Sequence, residues 1–114
     1  MKLLNILGTV YTLYEDVTKE EDQYLESLAG YTDRSSKKIV IQKPGDDWQL
    51  ENRDEFVKNT KRHEIIHAYL FESGIDECSF WGKDKDDSHS EQIVEWIAIQ
   101  FPKLYITFKE AEAL

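Results

Sequence analysis

The chain has 114 residues, of which 40% are hydrophobic and 12% aromatic, and it carries a formal net charge of −9 from 23 acidic and 14 basic side chains. This length predicts one domain spanning residues 1–114, and the composition is too apolar for a disordered chain. The acidic balance repels phosphate backbones and anionic lipid, so we expect neither nucleic acid nor a membrane surface as a partner.

The N-terminal half predicts a small sheet. Residues 3–14 alternate loosely between apolar and polar side chains, which indicates a first strand that bends or splits around Gly8. Thr18 and Glu21 have the spacing of a capping box and predict a helix that ends at Gly30. The β-branched stretch SKKIVIQ predicts a second strand, and its lysines suit either a sheet edge or an ordinary strand.

The C-terminal half predicts two long helices. Asn52 and Glu55 form a cap signature for a helix that stops at Gly74. After a loop, Ser90 is predicted to cap a last helix that runs through Phe101 and is closed by Pro102. The predicted order is therefore strand, helix, strand, helix, helix, an α+β fold with its functional residues on two late helices.

Two histidines stand out in the stretch TKRHEIIHAYLFESGI. His63 and His67 are four residues apart, so on a helix they lie on one face and can offer two imidazole nitrogens to one ion. Glu64 lies about 100° further around the helix, where a carboxylate can take a proton from a water that the metal activates. This pattern predicts a zinc site with Glu64 as general base.

A catalytic zinc site needs a third protein ligand, and the last predicted helix offers two candidates. Glu91 and Glu95 are also four residues apart and share a helix face. One of them can bind the ion. The other can accept the free N–H of a ligating histidine, which fixes the tautomer of that ring.

The motif HEIIH, followed by E-x-x-x-E on a later helix, resembles the gluzincin branch of the zincin metallopeptidases. This resemblance implies that Glu91 is the third ligand and that Glu95 is its acidic partner. More narrowly, RHEIIHAYLFESG and EQIVEWIAIQFPK look like segments of small phage and prophage proteins of Gram-positive bacteria, themselves similar to ImmA/IrrE-type metallopeptidases. The resemblance implies a minimal zincin-like fold, in which a small N-terminal sheet packs on two C-terminal helices that carry the metal site.

Other side chains are weaker candidates for a role at this site. His89 could approach the metal or an oxyanion, although a solvated loop histidine explains it as well, and the single cysteine, Cys78, is a weak fourth ligand. Glu72 could help to orient a partner, but it is interpreted as a surface carboxylate. No motif identifies the oxyanion-stabilising group; Tyr31, Tyr69 and Tyr105 are candidates only as phenols, and core or surface packing explains each of them better.

Two functions of different classes are consistent with these residues. The first is a zinc-dependent metallopeptidase with one Zn²⁺ per chain, which hydrolyses a peptide bond in a regulatory protein such as a repressor. The alternative is a non-enzymatic inhibitor or antirepressor that binds a partner protein and uses zinc to stabilise a small core. Glu64 favours the enzyme, because a purely structural site needs no carboxylate there. An unpaired cysteine and the lack of a signal-peptide pattern predict a cytoplasmic protein.

Overall fold

The computed structural model describes residues 1–75 and 88–114, except for the side chains of residues 88–90. In these ranges four strands precede two long helices, so the predicted α+β class is confirmed. The elements are β1 (Lys2–Ile6), β2 (Thr9–Val17), β3 (Gly30–Asp33), β4 (Lys38–Gln42), α1 (Arg53–Ser73) and α2 (Ser88–Glu110).

The first predicted strand is two strands joined at Gly8. Leu7 and Gly8 have positive φ angles of 52° and 92°, and they form the two-residue connection between β1 and β2. Such a turn matches the twist of an antiparallel hairpin. The side chain of Asn5 accepts a hydrogen bond of 2.7 Å from the Gly8 N–H, which holds the turn.

The helix predicted from Thr18 to Gly30 is wrong. The Thr18 and Glu21 side chains do make the contacts of a capping box, but they close a turn that leads only into a short 3₁₀ helix, Gln23–Glu26. Leu25 is the one buried residue of that short helix. A longer helix there would bury little apolar surface, and such burial is what mainly stabilises helices in proteins. Gly30 instead begins the unpredicted strand β3.

The sheet has the order β1-β2-β4-β3. The outer pairs are antiparallel, and the central pair, β2 with β4, is parallel. The strand predicted from SKKIVIQ is confirmed as β4, but it lies inside the sheet rather than at its edge. The strand that ends the sheet on that side is β3.

Helix α1 covers the core face of the sheet. Its start is confirmed at Asn52, whose side chain accepts the Glu55 N–H, and its end at Gly74, whose φ angle is 79°. Ala68 faces the sheet and is fully buried. Helix α2 packs in turn against α1. The buried cluster between sheet and helix consists of Ile6, Tyr11, Leu13, Ile39, Ile41 and Ala68.

Glu72 anchors the end of α1 to the sheet. Its carboxylate accepts hydrogen bonds from the Tyr11 hydroxyl at 2.8 Å and the Thr9 hydroxyl at 3.0 Å, and it pairs with Lys37 at 2.8 Å. The side chain is only 15% exposed. The interpretation of Glu72 as a surface carboxylate is therefore wrong.

The Glu72→Gln variant is expected to be less stable than wild type at neutral pH and less affected by acid. Hydrogen bonds from Lys37 and Tyr11 lower the pKa of the Glu72 carboxyl to about 2. Because the folded pKa lies below the unfolded value of about 4.3, the carboxylate's stabilisation is complete above about pH 5 and is lost as the pH falls toward 2.

Urea denaturation at neutral pH and at about pH 3 measures this effect. The stability difference between wild type and Glu72→Gln should shrink at the lower pH. Glu110, an exposed residue at the end of α2, provides the control substitution Glu110→Gln. If the stability difference between wild type and Glu72→Gln is the same at both pH values, the lowered pKa of Glu72 is contradicted.

The predicted bounds of the last helix are wrong at both ends. Helix α2 begins at Ser88, before the predicted cap Ser90, and it continues through Pro102 to Glu110. A proline inside a helix has no N–H for the carbonyl four residues earlier, which here belongs to Ala98. The Arg62 guanidinium of α1 donates a hydrogen bond of 2.6 Å to that oxygen, so the carbonyl freed by Pro102 has a donor.

Neither helix in residues 1–75 and 88–114 has the length and apolar character needed to cross a membrane. Cys78, most of the predicted loop before α2 and the side chain of His89 lie outside the described residues. Their predicted roles remain predictions.

Candidate metal centre

The three predicted ligands meet where α1 faces the start of α2. His63 and His67 lie one turn apart on α1, with ring centroids 4.9 Å apart. The Glu91 carboxylate lies against both rings, with one oxygen 3.0 Å from His63 Nε2 and the other 2.7 Å from His67 Nε2. One ligand atom from each of the three residues can be chosen so that all lie within 4.8 Å of one another.

This donor set fits a zinc ion. Two imidazole nitrogens and one carboxylate are the protein ligands of a common catalytic type, which leaves a position open for water. Ligands bound at about 2.0–2.1 Å around a tetrahedral ion lie about 3.3 Å from one another, and the Glu91 oxygens lie 3.0 and 2.7 Å from the two histidine Nε2 atoms. The His63 and His67 side chains are only 14% and 12% exposed, so most of each ring is packed inside the protein.

His63 is flanked by two carboxylates. Its Nδ1 lies 2.8 Å from Glu95 Oε2, and its Nε2 lies 3.0 Å from Glu91. A neutral imidazole has only one N–H and can donate to only one of these acceptors. The other nitrogen then presents a lone pair to a carboxylate, and a cation between them would remove that repulsion.

Glu95 lies where the prediction requires a partner of a ligating histidine. A proton on His63 Nδ1, donated to Glu95, leaves the Nε2 lone pair directed at the candidate metal position. The Asn59 amide donates a 2.7 Å hydrogen bond to the other oxygen of Glu95, which fixes that carboxylate. Sequence reasoning missed Asn59, although it lies one helical turn before His63 and hence on the same face of α1.

Glu64 is a buried carboxylate beside the three candidate ligands. Its side chain lies between α1 and β3, where the residue is 8% exposed and accepts a 3.0 Å hydrogen bond from the Thr32 hydroxyl. Burial raises the pKa of the Glu64 carboxyl, and the neighbouring His67 and the Thr32 bond oppose that shift. A carboxylate with a raised pKa is a stronger base than one in water.

The candidate ligands and Glu64 line one open cleft of about 300 Å³ along β3. The cleft continues toward Asn59 and Glu95 in one direction and toward Tyr24 and Lys38 in the other. Phe71 forms part of its wall and stacks on the His67 ring at 6.0 Å. The central part is lined by Leu28, Gly30, Tyr31, Thr32, His63, Glu64, His67, Phe71 and Glu91.

The edge of β3 presents main-chain groups to this cleft. The Gln42 N–H donates to the Ala29 carbonyl, and Gly30 pairs opposite Ile41 in the antiparallel register that follows. Hydrogen-bonded and non-hydrogen-bonded pairs alternate in such a ladder. The N–H and C=O of Gly30 and Thr32 therefore point away from β4, toward the edge that no other strand of residues 1–75 and 88–114 covers.

The close approach of β3 to α1 requires a glycine at position 30. A Cβ there would lie 2.8 Å from the Val40 carbonyl oxygen and 3.1 Å from Thr60 Cγ2 on α1. The nearer obstacle is main chain, which cannot rotate away. Any larger residue would push β3 away from β4 or from α1.

The Gly30→Ala variant is expected to lose about 1–3 kcal/mol of unfolding free energy, the usual cost of overpacking. Urea denaturation measures the loss. Gly45→Ala is the matched control, because the nearest atom to a new Cβ there belongs to the Asp47 side chain, which can move. Equal losses in the two variants would show that the contact with the Val40 carbonyl does not constrain β3.

The phenol candidates for oxyanion stabilisation differ in position. Tyr31 lines the cleft, but its hydroxyl donates a 2.5 Å hydrogen bond to Asp22. Burial and this bond raise the pKa of the Tyr31 hydroxyl, so it stays protonated. Tyr69 and Tyr105 are 41% and 44% exposed and do not line the central part of the cleft.

Comparison of the chain with protein-family models, with curated proteins and with solved structures finds no match.

Proposed function

We propose that the protein is a small zinc-dependent metallopeptidase. The observation that supports this function most strongly is the convergence of His63, His67 and Glu91 beside the buried Glu64, in a cleft bordered by an open strand edge. A structural zinc site would need the first three residues only. A peptidase also needs a base and a place for an extended peptide, and the cleft offers both.

The candidate ligands would hold zinc through His63 Nε2, His67 Nε2 and the Glu91 carboxylate. When bound, zinc would act as a Lewis acid toward the peptide carbonyl and lower the pKa of the attacking water. Glu95 would keep the proton of His63 on Nδ1, and Asn59 would keep Glu95 in place. These two residues therefore orient a ligand without binding the ion.

Glu64 is proposed as the proton carrier of the reaction. Its carboxylate accepts a proton from the attacking water and later passes that proton to the leaving amine, so the peptide bond breaks with no net change at Glu64. The raised pKa of this buried carboxyl suits both steps.

The substrate is proposed to bind as an added strand along β3. An extended peptide can exchange main-chain hydrogen bonds with Gly30 and Thr32, whose polar groups face the open edge. Main-chain pairing gives affinity with little dependence on side chains. We place the substrate among protein or peptide regulators in a bacterial cytoplasm, as the phage and prophage resemblance of HEIIH and its flanking residues implies.

The alternative function is a zinc-stabilised binding protein. It is favoured by one observation, that the candidate ligands come from both helices, so an ion there would tie α2 to α1. The two functions differ in what they require of Glu64.

The experiment that tests the proposal is a cleavage assay on zinc-loaded protein with a mixture of internally quenched peptides. We expect fluorescence to rise, to stop on chelation and to return when zinc is added back. No cleavage by protein of confirmed zinc content would contradict the peptidase. Relief of repression in a bacterial host by the same inactive protein would then favour the binding function.

A further inference from the structure

One hydrogen bond joins the edge strand to the proposed catalytic base. The Thr32 hydroxyl of β3 lies 3.0 Å from Glu64 Oε1 and 2.8 Å from the main-chain oxygen of Glu64. A hydroxyl has one hydrogen and can donate to only one acceptor at a time. The main-chain oxygen lies in the middle of α1 and has the helical N–H of Ala68 as its own donor, so the carboxylate is the acceptor that depends on Thr32.

This contact distinguishes the two oxygens of Glu64. Thr32 occupies Oε1, and the Glu64 side chain lines the cleft. Because Thr32 donates to Oε1 and not to Oε2, Oε2 is the better placed oxygen to accept a proton. Threonine is well suited to hold the Glu64 carboxylate, because its branched Cβ restricts rotation about χ1 more than the unbranched side chain of serine would.

The same residue also presents its main chain to the open edge of the sheet. In the β3–β4 ladder the N–H and C=O of Thr32 point toward the cleft side, where an extended peptide would pair. A single residue thus contacts both the expected peptide and the base. Thr32 alone would therefore determine the distance between the scissile peptide bond and the Glu64 carboxylate.

We propose that Thr32 is a positioning residue, which fixes Glu64 relative to the peptide docked on β3. This inference rests on the proposed peptidase function. It assigns the hydroxyl a role in turnover rather than in zinc binding, since Thr32 is not among the three candidate ligands.

The test compares Thr32→Val, which keeps the shape and removes the hydroxyl, with Thr32→Ser, which keeps the hydroxyl. Thr12→Val, on β2 and away from the cleft, is the matched control. Each variant is measured in zinc-loaded form for zinc content and thermal unfolding. Its kcat and KM are measured on one quenched peptide from the mixture, chosen because wild type cleaves it. The ¹³C-carboxyl NMR signal of Glu64, identified by its loss in Glu64→Gln, reports on the contact itself.

We expect Thr32→Val to keep its zinc, to shift the Glu64 carboxyl signal and to lose about 10- to 100-fold in kcat with KM unchanged, as is usual for a misplaced reacting group. Thr32→Ser should recover most of that loss, and Thr12→Val should behave as wild type. Thr32→Val with wild-type kcat would overturn the positioning role while leaving the peptidase intact.

Inactive wild type is a separate outcome. If the zinc-loaded wild-type protein cleaves nothing, the peptidase fails, and a positioning role in turnover fails with it. The NMR signal then separates two cases. If the Glu64 signal shifts in Thr32→Val, the Thr32–Glu64 hydrogen bond exists but has only a structural role. If the signal does not change, the hydrogen bond itself is contradicted.

Discussion

Glu64→Gln is expected to keep zinc and the native fold while losing peptide hydrolysis. Glutamine has nearly the shape of glutamate and keeps an oxygen that can accept the Thr32 hydrogen bond, but it cannot take up a proton at neutral pH. A positioned general base contributes about 10²- to 10⁴-fold to rate, so the loss should be of that order. It should fall on kcat, because the proton transfer belongs to the transition state rather than to binding.

The cleavage assay with quenched peptides measures this prediction, with zinc content and thermal unfolding recorded on the same samples. Glu55→Gln is the matched control, since Glu55 is a glutamate of α1 that pairs with Arg62 and does not line the central part of the cleft. Wild-type turnover by zinc-loaded Glu64→Gln would exclude Glu64 as the base. If that variant also retained full activity in a bacterial host while a ligand variant did not, the binding function would be the better account.

Loss of metal in ligand variants is the second large expected effect. Purified wild type should contain about one zinc per chain, the stoichiometry of a site with three protein ligands. His63→Ala and Glu91→Ala should contain almost none. Glu95→Ala removes the hydrogen bonds to His63 Nδ1 and Asn59 but none of the three candidate ligands, so its zinc affinity should fall by about 10- to 100-fold.

Elemental analysis and competition with a chromogenic chelator measure these affinities. Zinc retained in Glu91→Ala but lost in Glu95→Ala would reverse the two assignments. Chelation should also lower the melting temperature, because a ligand of the native state at about 1,000 times its Kd adds about 4 kcal/mol of stability. An unchanged melt after confirmed removal of zinc would show that α1 and α2 are already held together without the ion.

The sequence predicted α1 and the shared face of its histidines because both depend on local rules, whereas the assignment of Glu91 as the ligand came from the gluzincin resemblance. The Asn52 cap and Gly74 define the ends of α1, and a spacing of four residues places His63 beside His67 whatever the rest of the fold does. Once α2 packs antiparallel to α1, its glutamates reach those rings. The zinc ion, the reaction and the substrate remain predictions.

Strand β3 could not be predicted, because nothing local distinguishes it from a turn. Its sequence, GYTD, contains a glycine and an aspartate, which are depleted in strands. It is extended because it pairs with β4 and packs on α1, where Gly30 allows the close approach. For the same reason, no sequence signal indicated that Thr32 would reach Glu64.

The capping box at Thr18 shows the opposite error. The local signal was correct, and Thr18 and Glu21 do form their mutual hydrogen bonds. A cap, however, only satisfies the first turn, and a helix of the predicted length would need an apolar face to bury. The segment between Thr18 and Gly30 instead leads the chain from β2 to β3 at the edge of the sheet.

The bond between Arg62 and the Ala98 carbonyl opposes a shift of α2 along α1. Sliding α2 by one residue would move it about 1.5 Å along its axis and about 100° around it, and would separate that oxygen from its donor. Because Pro102 provides no N–H in compensation, the shift would cost about 1–3 kcal/mol. Ala98 lies about two turns beyond Glu91, and Arg62 directly precedes His63. Pro102 thus helps, from about three turns away, to keep the Glu91 carboxylate at the height of the two imidazole rings.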